Sequence, residues 1–320
     1  MFISTSTEDL LGKCPETRTP AQVVRAFGET RFRHLDYSFC QIGNDPDSPY
    51  YRTDGAWKRE IEEAQNAAQE IGARFCVAHS HIDHEAYAAG GEARERTLRQ
   101  LKNSIKACGM LGIPDLVIHG FFAGKTPEEQ FESNRIFFEH FSEELCENHV
   151  FGLIENGGDA AYLLGAIRHS RNPQMAAVWD VGHANITATP QYENLTALGD
   201  ALHTVHIHDN LGNGYFGKLS WAECDAHMMP YAGTVNYDEV LCALRDMNYR
   251  GLFNLEAVCA LRQHDTYPWN PRREWPRDTR ALEPSFRARI LAEELLYENA
   301  RSMLDAYGLL EESVHPAQKL

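Results

Sequence analysis

The chain has 320 residues, 43% of them apolar, enough for one large α/β barrel or two ordinary domains with a sizeable core. A formal net charge of −16 and a pI near 5.4 disfavour a protein that grips phosphate backbones. No apolar run approaches the roughly 20 residues of a membrane span, MFISTSTEDLLGK lacks a signal-peptide pattern, and eight scattered Cys without a CxxC pair fit reduced thiols in a cytoplasmic protein.

In chain order, Met1–Thr5 reads as a short strand. Thr19-Pro20 offers an N-cap with Pro at N1, opening a helix to about Glu29. His34–Phe39 is the second strand and residues 43–53 a polar, Pro-rich loop. Ala56–Ile71 is a helix closed by Gly72, and Arg74–His79 the third strand. A His- and Gly-rich loop spans His79–Gly91. A helix over Glu92–Leu111 precedes the fourth strand, Leu116–His119.

Thr126-Pro127-Glu128-Glu129 is a helix start, and that helix is expected to run to about Asn148. The remaining strands are Phe151–Glu155, Ala176–Asp180, Leu202–His208 and Gly251–Val258. Helices are expected over Asp159–His169, Tyr192–Leu198 and Tyr237–Met247, with a long loop at 209–235. Eight apolar strands alternating with helices indicate a parallel sheet buried on both faces, and eight such units point to a (β/α)8 TIM barrel. No GxGxxG follows the first strand, and the Walker-like Gly120–Thr126 is one residue short between its glycines, so no nucleotide cofactor is expected. A single domain follows: residues 1–260 as the barrel, and 261–320 as an extended last βα-loop and a C-terminal helix at about 285–306 packing on it. The loop at 262–284 is rich in Arg, Trp and Pro and lies on the face where it can wall a site.

Strand C-termini converge on one rim of such a barrel. His79, His81, His119, Glu155, Asp180, His183, His206, His208 and Glu256 all fall there. Glu155 and Asp180 are 25 residues apart, Asp180 and His206 26, and His206 and Glu256 50, or two units. An ionised Glu in an apolar strand calls for compensation. Glu155, Asp180, His206 and Glu256 together make a three-carboxylate, one-imidazole site for one divalent ion, Mn, Zn, Mg or Co.

The segments Leu153-Ile-Glu-Asn-Gly157, Trp179-Asp-Val-Gly-His183-Ala, Val205-His-Ile-His-Asp209 and Asn254-Leu-Glu-Ala257 resemble the sugar phosphate isomerase/epimerase branch of the xylose-isomerase-like TIM-barrel superfamily. The resemblance covers roughly residues 1–258. It implies that Glu155, Asp180, His206 and Glu256 bind the metal, that Glu155 and Glu256 serve as base and acid, and that His183 contacts substrate. His79, His119, Asp225 and His227 complete the implied substrate-binding set, with His208 and Asp209 behind the ligands. Asp225-Ala-His227 through Gly233 resembles a family stretch whose middle Gly is here Tyr231, so a different turn is expected. The Arg that epimerases carry shortly after the strand-seven His is absent; Lys125, Lys218 or Arg262 are the candidate replacements.

The implied function is isomerisation or epimerisation of a small sugar, sugar phosphate or polyol through an enediolate, with no nucleic-acid or membrane partner and, by analogy, a homodimer. Two other readings stand. The superfamily contains abasic-site endonucleases that use three metals, and His79, His119, Glu155, Asp180, His183, His206, Asp225, His227 and Glu256 can supply that set. A non-catalytic ligand-binding barrel is the third.

Overall fold

The structure, a computed structural model, describes residues 1–11, 18–214, 221–257 and 285–310. Eight parallel strands close in sequence order into a barrel: β1 (Phe2–Ser6), β2 (His34–Ser38), β3 (Arg74–His79), β4 (Asp115–Val117), β5 (Phe151–Glu155), β6 (Met175–Asp180), β7 (Leu202–Ile207) and β8 (Leu252–Leu255). Closure is the β1–β8 pairing, with Ser4 opposite Asn254 and Thr5 opposite Leu255. This is the expected (β/α)8 TIM barrel. β4 is shorter than its apolar run, but Ile118 N still donates to Leu153 O at 2.8 Å, so the ladder carries on towards His119.

The outer helices begin where their caps lie. Thr19 and Gln22 form a reciprocal capping box at Pro20–Ala26, as do Thr126 and Glu129 at Pro127–Glu139. The single helix expected up to Asn148 is instead two, Pro127–Glu139 and Ser142–Glu147. The break falls at Phe141, with φ of −134°, where Phe137, Phe138 and Phe141 pack edge to face with centroids 5.2–5.4 Å apart. Burying three rings outweighs one more helical turn. The loop expected at 79–91 holds a short helix, His84–Ala89, because the Asp83 side chain accepts from Ala86 N at 2.8 Å.

Side chains inside the barrel follow the two-residue period of a strand. One layer holds Val77, Val117, Leu153, Ala176 and Val178, an apolar cluster of its own. On the other side of that layer Ser4 Oγ donates to Asn254 Oδ1 (2.8 Å), and Asn254 Nδ2 donates to Asp36 Oδ2 (2.9 Å). Two residues further along β3, β5, β6, β7 and β8 stand His79, Glu155, Asp180, His206 and Glu256.

The C-terminal helix, Phe286–Ala306, packs beside β1. Thr5 Oγ1 donates to Glu293 Oε2 (2.9 Å), the Met1 amino group bonds Leu309 O (2.8 Å), and Phe32 meets Tyr297 edge to face at 5.1 Å. The Arg/Trp/Pro-rich stretch 262–284, Lys218 and Arg262 lie outside the described residues. No described helix is long and apolar enough to cross a membrane.

Candidate metal centre on the barrel rim

Four strand ends converge on one imidazole. His206 Nδ1, at the end of β7, stands 2.8 Å from Glu155 Oε1 (β5), 2.8 Å from Glu256 Oε2 (just past β8) and 3.8 Å from Asp180 Oδ2 (β6). One donor atom from each of the four lies within 4.8 Å of every other, and all four residues are buried. Donors around a single divalent ion stand roughly 3–4.4 Å apart, so the set has the right size.

The electrostatics call for positive charge at this point. Burial opposes ionisation of Glu155, yet the fields of His206 and His183 hold its carboxyl well below the usual range. Burial likewise opposes the Glu256 carboxylate, and His206 with His227 and His79 overrides it, keeping that group low. Burial disfavours a charged His206, but Glu256 and Glu155 hold its proton far above the ordinary histidine range. Both Glu155 carboxylate oxygens and both His206 ring nitrogens are nonetheless buried without a hydrogen bond of acceptable geometry. The close approaches are charge contacts between groups not shaped for one another. A divalent cation among them would satisfy His206 Nδ1 and the carboxylate oxygens that face it, and the residues present fit one.

A second layer orients the ligands. His208 Nε2 reaches both Asp180 oxygens at 3.0 Å. Asp180 Oδ1 also caps the short helix Val181–Ile186 by accepting from His183 N at 2.6 Å. Asn156 clamps the Asp180 backbone: its Oδ1 accepts from Asp180 N (2.5 Å) and its Nδ2 donates to Asp180 O (3.0 Å). Gly182 makes room for this arrangement, since a Cβ there would come within 2.0 Å of His208 Cε1. Asp209 lies elsewhere; its Oδ1 accepts from Asn210 N and Val235 N and ties down the following loop.

His183, Asp225 and His227 form a connected group on one side. Asp225 Oδ2 lies 3.3 Å from His183 Nε2 and 3.2 Å from His227 Nε2, and His227 stacks on His208 at 4.1 Å. Burial works against a charged His183, but Asp180, Asp225 and Glu155 outweigh it and push its pKa up to about 10. On the other side His119 Nε2 is 3.0 Å from Glu155 Oε2 and 3.2 Å from His79 Nε2. His79 Nδ1 faces the Ser80 carbonyl at 3.2 Å and Cys40 Sγ at 3.5 Å, which turns its Nε2 towards the cluster.

His79, His119, Glu155, Asp180, His183, His206, His208, Asp225, His227 and Glu256 therefore gather on one rim, while Asp209 faces the following loop. His84 departs from the plain loop expected at 79–91: its half-buried ring stacks on Phe121 at 6.1 Å. Tyr231 departs in the other direction. Its φ of 70° is in the left-handed region, so the turn keeps the conformation in which glycine is at home. Asn156, Gly182 and Cys40 were not singled out as site residues. Asn156 and Gly182 do sit inside recognisable motifs, but their partners lie 24 and 26 residues away along the chain. Only the register of β5, β6 and β7 brings them together.

Comparison with known proteins agrees with this geometry. Residues 32–284 match the family described as xylose isomerase-like TIM barrel. The protein y4fM of Sinorhizobium fredii is 26% identical over 176 residues, 51% of this chain and 53% of that protein, so the chain spans about half the length of that curated relative. Among solved structures, the 3-keto-D-glucoside 4-epimerase YcjR of E. coli superposes with a TM-score of 0.63 at 16% identity, over 93% of this chain and 99% of that one. A D-allulose 3-epimerase from Methylomonas sp. gives a TM-score of 0.66 at 12% identity, over 95% and 98%. At such identities these two likenesses establish the fold. With more than half its length matched to the family, and the motifs carrying that match gathered on one rim, the chain belongs to the xylose isomerase-like TIM barrel family.

Proposed function

We propose that the chain is a divalent-metal-dependent isomerase or epimerase of a small carbonyl sugar. The observation that carries this reading is the pair Glu155 and Glu256, which approach His206 Nδ1 at 2.8 Å from two non-adjacent strands and are both held anionic. Two carboxylates around one small space are what proton transfer at a carbon beside a carbonyl requires. Glu155, Asp180, His206 and Glu256 would hold the ion, which supplies charge that polarises the carbonyl and offsets the developing enediolate.

One carboxylate takes the proton from the carbon next to the carbonyl. The electron pair of that C–H bond moves towards the carbonyl oxygen and forms the enediolate. Return of that proton to the neighbouring carbon, with the hydroxyl proton passing from one enediolate oxygen to the other, isomerises the sugar; protonation of the original carbon on its opposite face, by the other carboxyl after it has taken a proton from solvent, epimerises it while the first carboxyl gives its proton back to solvent. His183, held protonated by the carboxylates around it, would donate to a substrate oxygen in place of its contact with Asp225. His119, half exposed beside Glu155, is a second donor on the solvent side.

A second reading has its own observation. His79 with His119 and Glu155, and His208 with Asp225 and His227, form two further groups of metal-capable donors around the central one. A multi-metal phosphodiesterase would use such a row. The charge of −16 favours the sugar reading, because a duplex-binding surface normally carries a basic footprint.

Elemental analysis of the purified chain, followed by an aldose and ketose panel with the metal present, separates the readings. One ion per chain with turnover of a carbonyl sugar is the expected result. About three zinc ions with cleavage of abasic duplex DNA would install the second reading. A chain that takes up no metal and turns over nothing when metal is added is a binding barrel, and the proposal falls.

A further inference from the structure

Beside the metal cluster the rim opens into a cavity of about 450 Å3, walled by Phe122 and Gln130 after β4 and by the stretch from Glu155 to Leu163 after β5. That is the scale of a small-molecule site. Glu155 lines it and also belongs to the cluster, so the two spaces share a wall.

The cavity has a definite chemical character. Phe122 and Tyr162 are half-buried, with ring centroids 5.7 Å apart at 51°. The Tyr162 hydroxyl is anchored to Gln130 Oε1. The charged groups on the wall are both acidic: Glu155, and Asp159, which is turned back to accept from Tyr162 N at 2.8 Å. No Lys or Arg lines it among the described residues. Among the described residues, a phosphate or carboxylate entering here would meet only like charge. Aromatic faces with a few hydrogen-bonding groups suit instead the apolar face of a neutral ring.

The remaining wall is Gly157 and Gly158. A Cβ added to either would meet nothing within 4 Å, and neither residue has a left-handed φ. The backbone does not demand glycine at these two positions, so the space itself is the notable feature.

We propose that this cavity holds the part of the substrate remote from the reacting carbons, and that the substrate is a neutral glycoside carrying a second ring rather than a sugar phosphate. This rests on the isomerase or epimerase reading above and narrows its substrate class.

The test measures binding to the metal-loaded full chain by calorimetry. The probes are a free ketohexose, its terminal phosphate ester, and the methyl and phenyl glycosides of a hexose that carries a free ketone at a ring carbon. The phenyl glycoside should bind about tenfold tighter than the methyl glycoside, the scale of one good aromatic contact. Tyr162→Ala, which removes a stacking face, and Gly158→Leu, which fills the space, should each bring that ratio close to one. Melting curves confirm that both variants fold, and each variant checks the other. A ratio near one in the unaltered chain, a ratio that survives both substitutions, or tightest binding of the phosphate ester overturns the proposal. Turnover of the same probes keeps the two readings apart. If none reacts while the binding ratio and its loss persist, the isomerase reading fails and the cavity assignment stands. If sugars react but the ratio is one, the cavity assignment fails alone.

Discussion

Two layers of side chains inside the barrel sit one pleat apart and behave as opposites. The rim layer, His79, Glu155, Asp180, His206 and Glu256, is titratable and crowded with buried charge, and at Glu155 and His206 it lacks well-formed hydrogen bonds. The layer beneath is an apolar cluster under β3 to β6 and, on its other side, a short hydrogen-bonded chain of Ser4, Asn254 and Asp36. Leu153 and Glu155, Val178 and Asp180, and Asn254 and Glu256 are pairs two residues apart on the same strand face. One member of each pair packs the barrel and the other burdens it with buried charge. The lower layer gives the rim a rigid base on which these buried charges are held close together.

Substitutions should therefore separate activity from stability according to layer. The largest effect is expected at the rim. Glu256→Gln removes a carboxylate from the proposed acid/base pair and should lower turnover by roughly 10²–10⁴-fold, while the metal-free chain still folds, with a melting temperature somewhat lowered because His206 loses one of its two close carboxylate partners. Steady-state rates beside a thermal melt check this, and full activity in that variant would sink the acid/base assignment. One layer down the balance reverses. Leu153 is fully buried, so Leu153→Ala should cost about 3–4 kcal/mol of stability while the activity of the folded fraction changes little. Denaturant titration paired with kinetics decides; a stable but inactive variant would dissolve the distinction between layers.

Asp36 probes the polar side of the lower layer. Burial pushes its carboxyl up to about 6 from 3.8, against the fields of His206 and His79 and the hydrogen bond from Asn254. A carboxyl raised in the folded state contributes its stability below pH 4 and loses it as pH rises through about 6. The metal-free chain should lose up to about 3 kcal/mol across that window. Asp36→Asn should flatten the slope, as read from denaturation midpoints between pH 4 and 7; an unchanged slope assigns the titration elsewhere. The smallest effect is expected behind the rim. Gly182→Ala would push the His208 ring away from Asp180, which should weaken metal affinity by roughly 10–100-fold without unfolding the chain. Competition against a chelator measures it, and unaltered affinity would show that His208 does not orient the ligand.

Much of this was legible one residue at a time. Thr19-Pro20 and Thr126-Pro127 mark helix starts because a cap acts on the three residues after it. The eight strands show as apolar runs because both faces are covered. Glu155, Asp180, His206 and Glu256 stand out because an ionisable group at the end of such a run needs a partner. The misses have two causes. The break at Phe141 and the burial of His84 against Phe121 arise from aromatic packing, and the left-handed Tyr231 sits in a loop carrying a family pattern without its glycine.

Local order, the number of βα units and the identity of the four converging side chains at the strand ends are legible in the sequence alone, because capping, strand periodicity and repeat spacing act over a few residues or one unit. Tertiary structure alone decided that Glu155 and Glu256 approach the same nitrogen of His206, that His208 braces Asp180 across 28 residues, and that a cavity walled by Phe122 and Tyr162 opens beside Glu155. Those facts depend on β8 closing onto β1 and on the register of every strand pair between them. Interstrand register is set by the packing of the whole barrel, and no short window of sequence contains it.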